Sequence, residues 1–568
     1  IPLASMTLLQ RMDADGKVLT RLDEAAVAEA AKKLLALGCE AVVIHFLHSY
    51  INSAHEKRAA EIVRAIWPND YVTAGHAILS EYREYERGVT AAVNASVQPV
   101  LDRYLSRLRK ELSAKSFDRD ILVMQGNGGT ISSTLIARAA VNTVMSGPAS
   151  GVMAAAYTGR ASGQPNLITY DMGGTSTDVG LIENAVPQVS GELELEYAMP
   201  IHVPMVDVHT IGAGGGSIAS VDAAGMLRVG PESAGARPGP ICYGRGGAEP
   251  TITDANLVLG RLNPDKLLGV DHPVTLDQVR AAILDKVGKL LGLDAEAAAA
   301  AILRIANDRM AGAIRLMSLS RGHDPRDFAL FAFGGAGPLH AGRIARDLGM
   351  AGIVVPLYPG VYSAIGLLMS DVKHDYVQSR MTPMSALSPD DVNALFGRLT
   401  RQAMDDLTAD GFAANRIKVE RALDLRYAGQ GYEITMPCLP GAMTAEGLAA
   451  IRRNFDEQHR TMFGHAAPEE PVEVVSYRVT GVGLVPPVQL PKLARAGTTL
   501  ADAQRATRTV RFDGRAVECP VYQREKLDVG LTVTGPAVLD QFDCTTVLCP
   551  GQVAWVDEWK NLIVTMGI

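Results

Sequence analysis

No stretch of this chain is long and apolar enough to cross a bilayer: runs such as AEAAAAAILRIA fall well short of the roughly 20 residues a membrane helix needs. No signal-peptide pattern opens the sequence, which begins at Ile1. Cysteine is scarce, six in 568 residues, and none is spaced as a Cys-x-x-Cys metal pair. Zinc ribbons and a disulfide scaffold are thereby disfavoured, and a reducing cytoplasm is the expected location. Positive charge is not in surplus either. A net charge of -8 supplies no global attraction to nucleic acid or to a membrane surface, so neither is an expected partner. Low-complexity tracts are also missing.

What remains is a folded chain of ordinary globular balance, 47% hydrophobic and 20% charged, whose length suggests three or four compact units. LDEAAVAEAAKKLLALG reads as a helix ending at Gly38, and CEAVVIHFL after it as a buried strand. Residues 84 to 113 carry a long amphipathic helical pattern. A strong helix is expected from Ala295 to Ser320 with Asp294 as N-cap, and FALFAFGGAGPLHAGRIARDLG reads as strand, glycine turn and helix. Past about Asp371 the pattern becomes a helix followed by alternating strands. The expected division is 1–143, then 144–371, then a C-terminal α+β, β-rich domain over 372–568.

Three strand-to-glycine transitions carry the chemistry: DMGGTSTD (171–178), IGAGGGSIA (211–219) and FGGAGPLHA (333–341). Glycines after a strand let backbone N–H groups converge on a concavity suited to phosphate oxygens. In the first cluster Gly173 and Gly174 supply the turn, and Thr175, Ser176 and Thr177 add hydroxyl donors. Asp171 at the strand end is placed to hold Mg²⁺ or an attacking group, while Asp178 braces the turn. A plain Gly-Gly hairpin explains this string equally well by itself. No Lys follows it, so it is not a Walker A loop, and GAGGGS leads into strand-like residues, unlike a dinucleotide fingerprint.

Taken together, these strings resemble the second half of the actin, sugar-kinase and Hsp70-type ATPase fold, an α/β architecture of two ribonuclease-H-like domains that clamp a nucleotide. DMGGTSTD resembles its second phosphate hairpin. FGGAGPLH resembles its adenosine turn, with Gly334, Gly335, Ala336 and Gly337 as contacting backbone; Gly214 and Gly215 join the expected nucleotide contacts. More specifically, LHSYINSAHE, REYERG, SGPASGV, GARPGPICYGRGG, RYAGQGYE and TGPAVLDQFDCTT occur in the order seen in the hydantoinase A/oxoprolinase family, which the chain resembles along its whole length.

The resemblance implies an ATP-binding subunit that uses ATP and Mg²⁺ to open a cyclic amide such as a hydantoin, 5-oxoproline or a lactam. It also implies a B-type partner subunit and an oligomeric enzyme. Two alternatives share the same turns: the nucleotide-using subunit of an acetone or acetophenone carboxylase, and a non-catalytic nucleotide-binding subunit of actin-like fold. The family's first phosphate hairpin, D-x-G-G-T-F-T-D, is absent from residues 1–143, so its expected place is before residue 1.

For the substrate side, Asp207 and His209 in VDVHT alternate onto one strand face and form, with Asp171, the expected catalytic and metal set, a second divalent metal included. A hydrogen-bonded core role for His209 is the competing reading. His45, His48 and His55 recur around a strand end, where His48 with His55 could serve as ligands and packing and capping are the simpler roles. Asp254 is expected to cap a helix.

Overall fold

The computed structural model describes residues 4–195, 199–265, 267, 269–270, 274–486 and 488–567. Local sequence chemistry sets most of the elements. Asp23 caps the helix Glu24–Ala36 by accepting from Ala26 N, and the long pattern at 84–113 is one helix, Glu84–Ser113. Asp294 accepts from Ala297 N at the start of Ala295–Leu319. That helix buries Ile302, Met310, Ile314 and Met317 in the main core, each side chain contributing roughly 1.5–3 kcal/mol by leaving water. At Asp254 the expectation is corrected: Thr251 is the N-cap, and Asp254 is the reciprocal partner of a capping box that also accepts from Ile241 N and Cys242 N.

Two compact units result. One gathers Ile1–Ala149, Val189–Val206 and Ser370–Pro486; the other gathers Ser150–Gln188, Asp207–Met369 and Pro487–Ile568. The stretch 372–568 is therefore shared between them at Pro486/Pro487.

The first unit is built on a six-stranded sheet ordered Ile434–Pro437, Ile417–Tyr427, Val472–Gly483, Val372–Pro383, Thr130–Ser132 and Leu122–Met124. The helices Pro389–Ala409 and Ala445–Phe463 bury Phe396, Leu399 and Phe455 against it. A second small core forms where Val42–Ile44 and Val72–Ala74 pair in parallel under the helices Glu24–Ala36 and Ala54–Arg64.

The second unit carries a nine-stranded sheet. Its main path runs Val208–Ile211, Thr177–Glu183, Leu167–Met172, Ala329–Phe333, Gly352–Val355, Leu562–Thr565, Val553–Val556 and Thr532–Thr534. Leu167–Met172, Ala329–Phe333 and Gly352–Val355 run parallel, and Asp171 lies in register with Phe333. Both glycine turns, after Met172 and after Phe333, thus leave the same carboxyl edge of the parallel strands, the edge where open α/β sheets bind ligands. Leu562–Thr565 pairs with Gly352–Val355, which satisfies backbone groups that an edge strand would leave open. Behind the sheet, the helix Ser146–Ala161 meets Tyr362–Met369 closely: a Cβ at Gly366 would run into the backbone of Ser150. Among the described residues no helix is long and apolar enough to cross a membrane.

Candidate active site

Leu167–Met172 and Thr177–Glu183 form an antiparallel hairpin in which Asp171 faces Asp178 directly. Residues 173 to 176 close it, with Gly173 N donating to Ser176 O at 3.0 Å. Directly opposed carboxylates on one sheet face repel each other, and a low-dielectric site magnifies the cost. Burial, joined by the charge of Asp178, pushes the Asp171 carboxyl up to about 7. Burial also raises Asp178, which accepts from Thr210 Oγ1 at 2.5 Å. Ser363 Oγ reaches Asp171 Oδ2 at 3.5 Å. Neither carboxylate is paired with a basic side chain of the described residues.

The glycines around this pair fall into two groups. At Gly173 a Cβ would meet nothing nearer than Ser176 O at 4.0 Å, and at Gly174 nothing within 4 Å; neither residue is in the left-handed region. Packing and backbone strain both leave these two positions unexplained, and the room above them suits close approach by a ligand. Gly214 is different, since a Cβ there would lie 2.6 Å from the Thr175 backbone. Gly215 N donates to Gly173 O at 2.9 Å and Gly216 N to Gly174 O at 2.6 Å. The second glycine cluster is thus a buried bolster that fixes the turn from behind. Gly334 combines φ +77° with a close seat against Asp171 Oδ1 and the Met172 carbonyl, while Ala336 N donates to Met172 O at 3.0 Å. Gly335 is exposed, Ala336 half-buried, and Gly337 begins the helix Gly337–Leu348.

The expected residues are therefore brought together only in part. Asp171, Gly173, Gly174, Thr175 and Ser176 share one rim with Gly334 and Gly335. Thr177 lies beside them but is fully buried, and its hydroxyl donates to Ala213 O at 2.5 Å, so it is not a free donor. Asp207 and His209 are not brought to Asp171. His209 pairs with Val179, and Val179 with Tyr170, one step out of phase with the Asp171–Asp178–Thr210 row. With a side-chain period of 2, His209 falls on the opposite face, while Asp207 precedes the strand. Asp207 is occupied by Arg321, whose Nε donates to Oδ2 at 2.5 Å, and the His209 side chain makes no hydrogen bond to any described residue. Sequence reasoning missed Ser363, Thr210 and Asp543. Asp543 Oδ2 accepts from Gly360 N at 2.9 Å, and its carbonyl lies near Gly335. Only the strand register or the fold reveals them.

The donor set fits a hard cation held with phosphate oxygens. Among the described residues no group of three or more His, Cys, Asp or Glu side chains suits a metal, so an all-protein cage is not on offer. Magnesium with nucleotide uses one or two carboxylates and fills its remaining positions with phosphate and water. Asp171 and Asp178 are two carboxylates without a counter-charge beside an open glycine turn.

Comparison with known proteins places the chain in a family. Models of the hydantoinase/oxoprolinase N-terminal region, the hydantoinase/oxoprolinase domain and its C-terminal domain match residues 4–67, 87–376 and 384–565. The chain is 37% identical to caprolactamase subunit alpha of Pseudomonas jessenii over 98% of its own length and 81% of that protein's. It is 33% identical to the acetophenone carboxylase gamma subunit of Aromatoleum aromaticum, covering 96% of this chain and 77% of that one. A crystal structure of the ATP-dependent caprolactamase from Pseudomonas jessenii superposes with a TM-score of 0.90 at 34% identity, over 99% of this chain and 82% of that chain. A nucleotide-free acetone carboxylase structure gives 0.78 at 28%, over 98% and 81%. The chain belongs to the hydantoinase/oxoprolinase family.

Proposed function

We propose that this chain is the ATP-binding subunit of an enzyme that opens a cyclic amide by hydrolysis, working with Mg²⁺ and a B-type partner subunit in a cytoplasmic oligomer. The observation that carries the reading is the Asp171–Asp178 pair, uncompensated and beside Gly173 and Gly174, which are glycines without a packing reason. An unstrained amide resists water, and ATP would supply the phosphoryl group that turns its oxygen into a leaving group. Asp171 would hold the magnesium when ionised, with the Asp178 carboxyl, fixed by Thr210, next to it. The backbone at Gly173–Ser176 and the hydroxyls of Thr175 and Ser176 would bind phosphate oxygens. Gly334, Gly335, Ala336 and Gly337 would border the adenosine, while Gly214 and Gly215 keep the phosphate turn rigid. Arg321 holds Asp207 away from this chemistry.

Two facts favour a cyclic amide over the ketone carboxylation of other relatives: the higher identity and the higher TM-score both belong to the caprolactamase. The full-length polypeptide with its partner, given ATP, Mg²⁺ and a panel of lactams and hydantoins, should release ADP only when a substrate amide is present. ADP release that instead needs bicarbonate and a ketone would select the carboxylase reading. Nucleotide binding without any turnover would select a purely regulatory subunit.

A further inference from the structure

The second unit holds a cavity of about 400 Å³ between the helix Ala295–Leu319, the helix Gly337–Leu348 and the turn at 513–514 that joins the strands Gln504–Phe512 and Arg515–Gln523. That volume lies in the range of small-molecule sites, roughly 300–1,000 Å³. None of the lining residues belongs to the three glycine clusters. Four arginines, Arg261, Arg304, Arg343 and Arg511, share its wall with five acids.

Most of the acids are already committed within the chain. Asp347 and Asp513 are both paired with Arg343, at 2.7 Å and 2.5 Å, and Glu296 is paired with Arg280 at 2.9 Å. Asp294 accepts from Ala297 N at 2.7 Å, which also uses up the helix N-terminus at the rim. Only Asp308 is left without a hydrogen bond or ion pair to a described residue. The arginines are in the opposite condition: the side chains of Arg261, Arg304 and Arg511 make no hydrogen bond or ion pair with any described residue. Arg261 is the sharpest case, half-buried with its Nε enclosed and unpaired. Burial holds its pKa below the ordinary arginine value, the Arg343 charge acts in the same direction, and Asp513, which opposes them, is held by Arg343. A guanidinium drawn out of water without a counter-charge is unfavourable, and three unpaired ones against a single acid leave a positive surplus for an anion to answer.

The remaining wall is apolar. Leu259, Leu293, Ala297, Ala300 and Leu303 face the same space, a surface that a hydrocarbon gains by covering and a bare inorganic oxyanion does not. We propose that this cavity is a second ligand site, which takes a small aliphatic carboxylate: the carboxylate on Arg261, flanked by Arg304 and Arg511, and the alkyl body on the leucine and alanine wall. A planar guanidinium matches a carboxylate through two parallel hydrogen bonds, and the terminal N–H groups of Arg261 have no acceptor among the described residues. The site stands apart from the reaction proposed above, since it shares no residue with the phosphate and adenosine turns.

The test uses the full-length protein with hexanoate as the probe, followed by saturation-transfer NMR. The competitors are 1-hexanol and inorganic phosphate, which carry the body and the charge separately, and ATP with Mg²⁺. Hexanoate should bind saturably, and none of the three at the same concentration should displace it. Arg261→Met keeps the stem and removes the charge, while Arg304→Gln alters an exposed residue that the fold does not need. Hexanoate affinity should fall roughly tenfold or more in Arg261→Met, the scale of losing a charge-assisted hydrogen bond, and severalfold in Arg304→Gln. The melting temperature of Arg261→Met should equal or exceed that of wild type, because an unpaired charge is gone. A wild type that does not bind hexanoate, equal affinity in wild type and both variants, or displacement by any competitor would overturn the second site. Arg261-dependent hexanoate binding in a protein that binds no nucleotide would support this site and count against the ATP reading alone.

Discussion

Buried acids occur in both units, and they are treated in opposite ways. In the first unit, Glu81 lies between Arg478, at 2.9 Å, and His202, at 2.7 Å, and Arg478 also grips Asp424 at 2.7 Å. Burial alone would raise the Glu81 carboxyl, but Arg478 and His202 overcome it and hold it down to about 2. In the second unit, Asp171 and Asp178 face each other with no basic side chain, and burial takes Asp171 up to about 7. A charge supplied from within the chain makes an acid structural, whereas an acid left without one is a receptor for a charge from outside.

The largest effect that can break this contrast is on turnover. Asp171→Asn should lower ATP-dependent turnover by at least about 100-fold, the scale of losing one focused electrostatic contact, while circular dichroism stays native. Near-normal turnover would make Asp171 as structural as Glu81. Next is Glu81→Gln, which leaves Arg478 and His202 short of a buried partner. Urea unfolding should show a loss of roughly 3–5 kcal/mol, against no loss for Asp171→Asn.

The pH dependences should run in opposite directions. The folded pKa of Glu81 lies below its unfolded value near 4.5, so its stabilisation is present above about 4.5 and fades as pH falls toward 2. The folded pKa of Asp171 lies above its unfolded value near 3.8, so stability falls as pH rises from about 4 through 7. Without metal or nucleotide, Asp171→Asn should flatten that decline and add roughly 1–3 kcal/mol at pH 8, read by thermal unfolding. The smallest effect sharpens the glycine contrast. Gly174→Ala should change stability by less than about 0.5 kcal/mol yet weaken ATP binding severalfold. Gly334→Ala, strained at φ +77° and crowded by Met172, should destabilise outright.

Much of the site was legible in the sequence because its parts are local. A strand, two glycines and an acid at each end specify the hairpin, and strand-glycine-helix specifies the turn at 334–337. The helix starts were legible for the same reason, through Asp23 and Asp294. Register was not. Asp207 precedes the strand Val208–Ile211, and the face that His209 takes depends on pairing with Thr177–Glu183, a relation between segments about 30 residues apart. The role of Thr177 was hidden likewise, because its partner Ala213 comes from another element. The C-terminal stretch reads as one β-rich region, and nothing local says that Leu562–Thr565 completes a sheet begun at Leu167.

The most direct test of the central claim is the thermal shift produced by ATP with Mg²⁺ in the full-length protein at pH 6 and pH 8, for wild type and Asp171→Asn. Wild type should be stabilised more at pH 8, where Asp171 is ionised, and the variant should show little pH-dependent gain. An equal, Mg²⁺-dependent shift in both proteins at both pH values would contradict it.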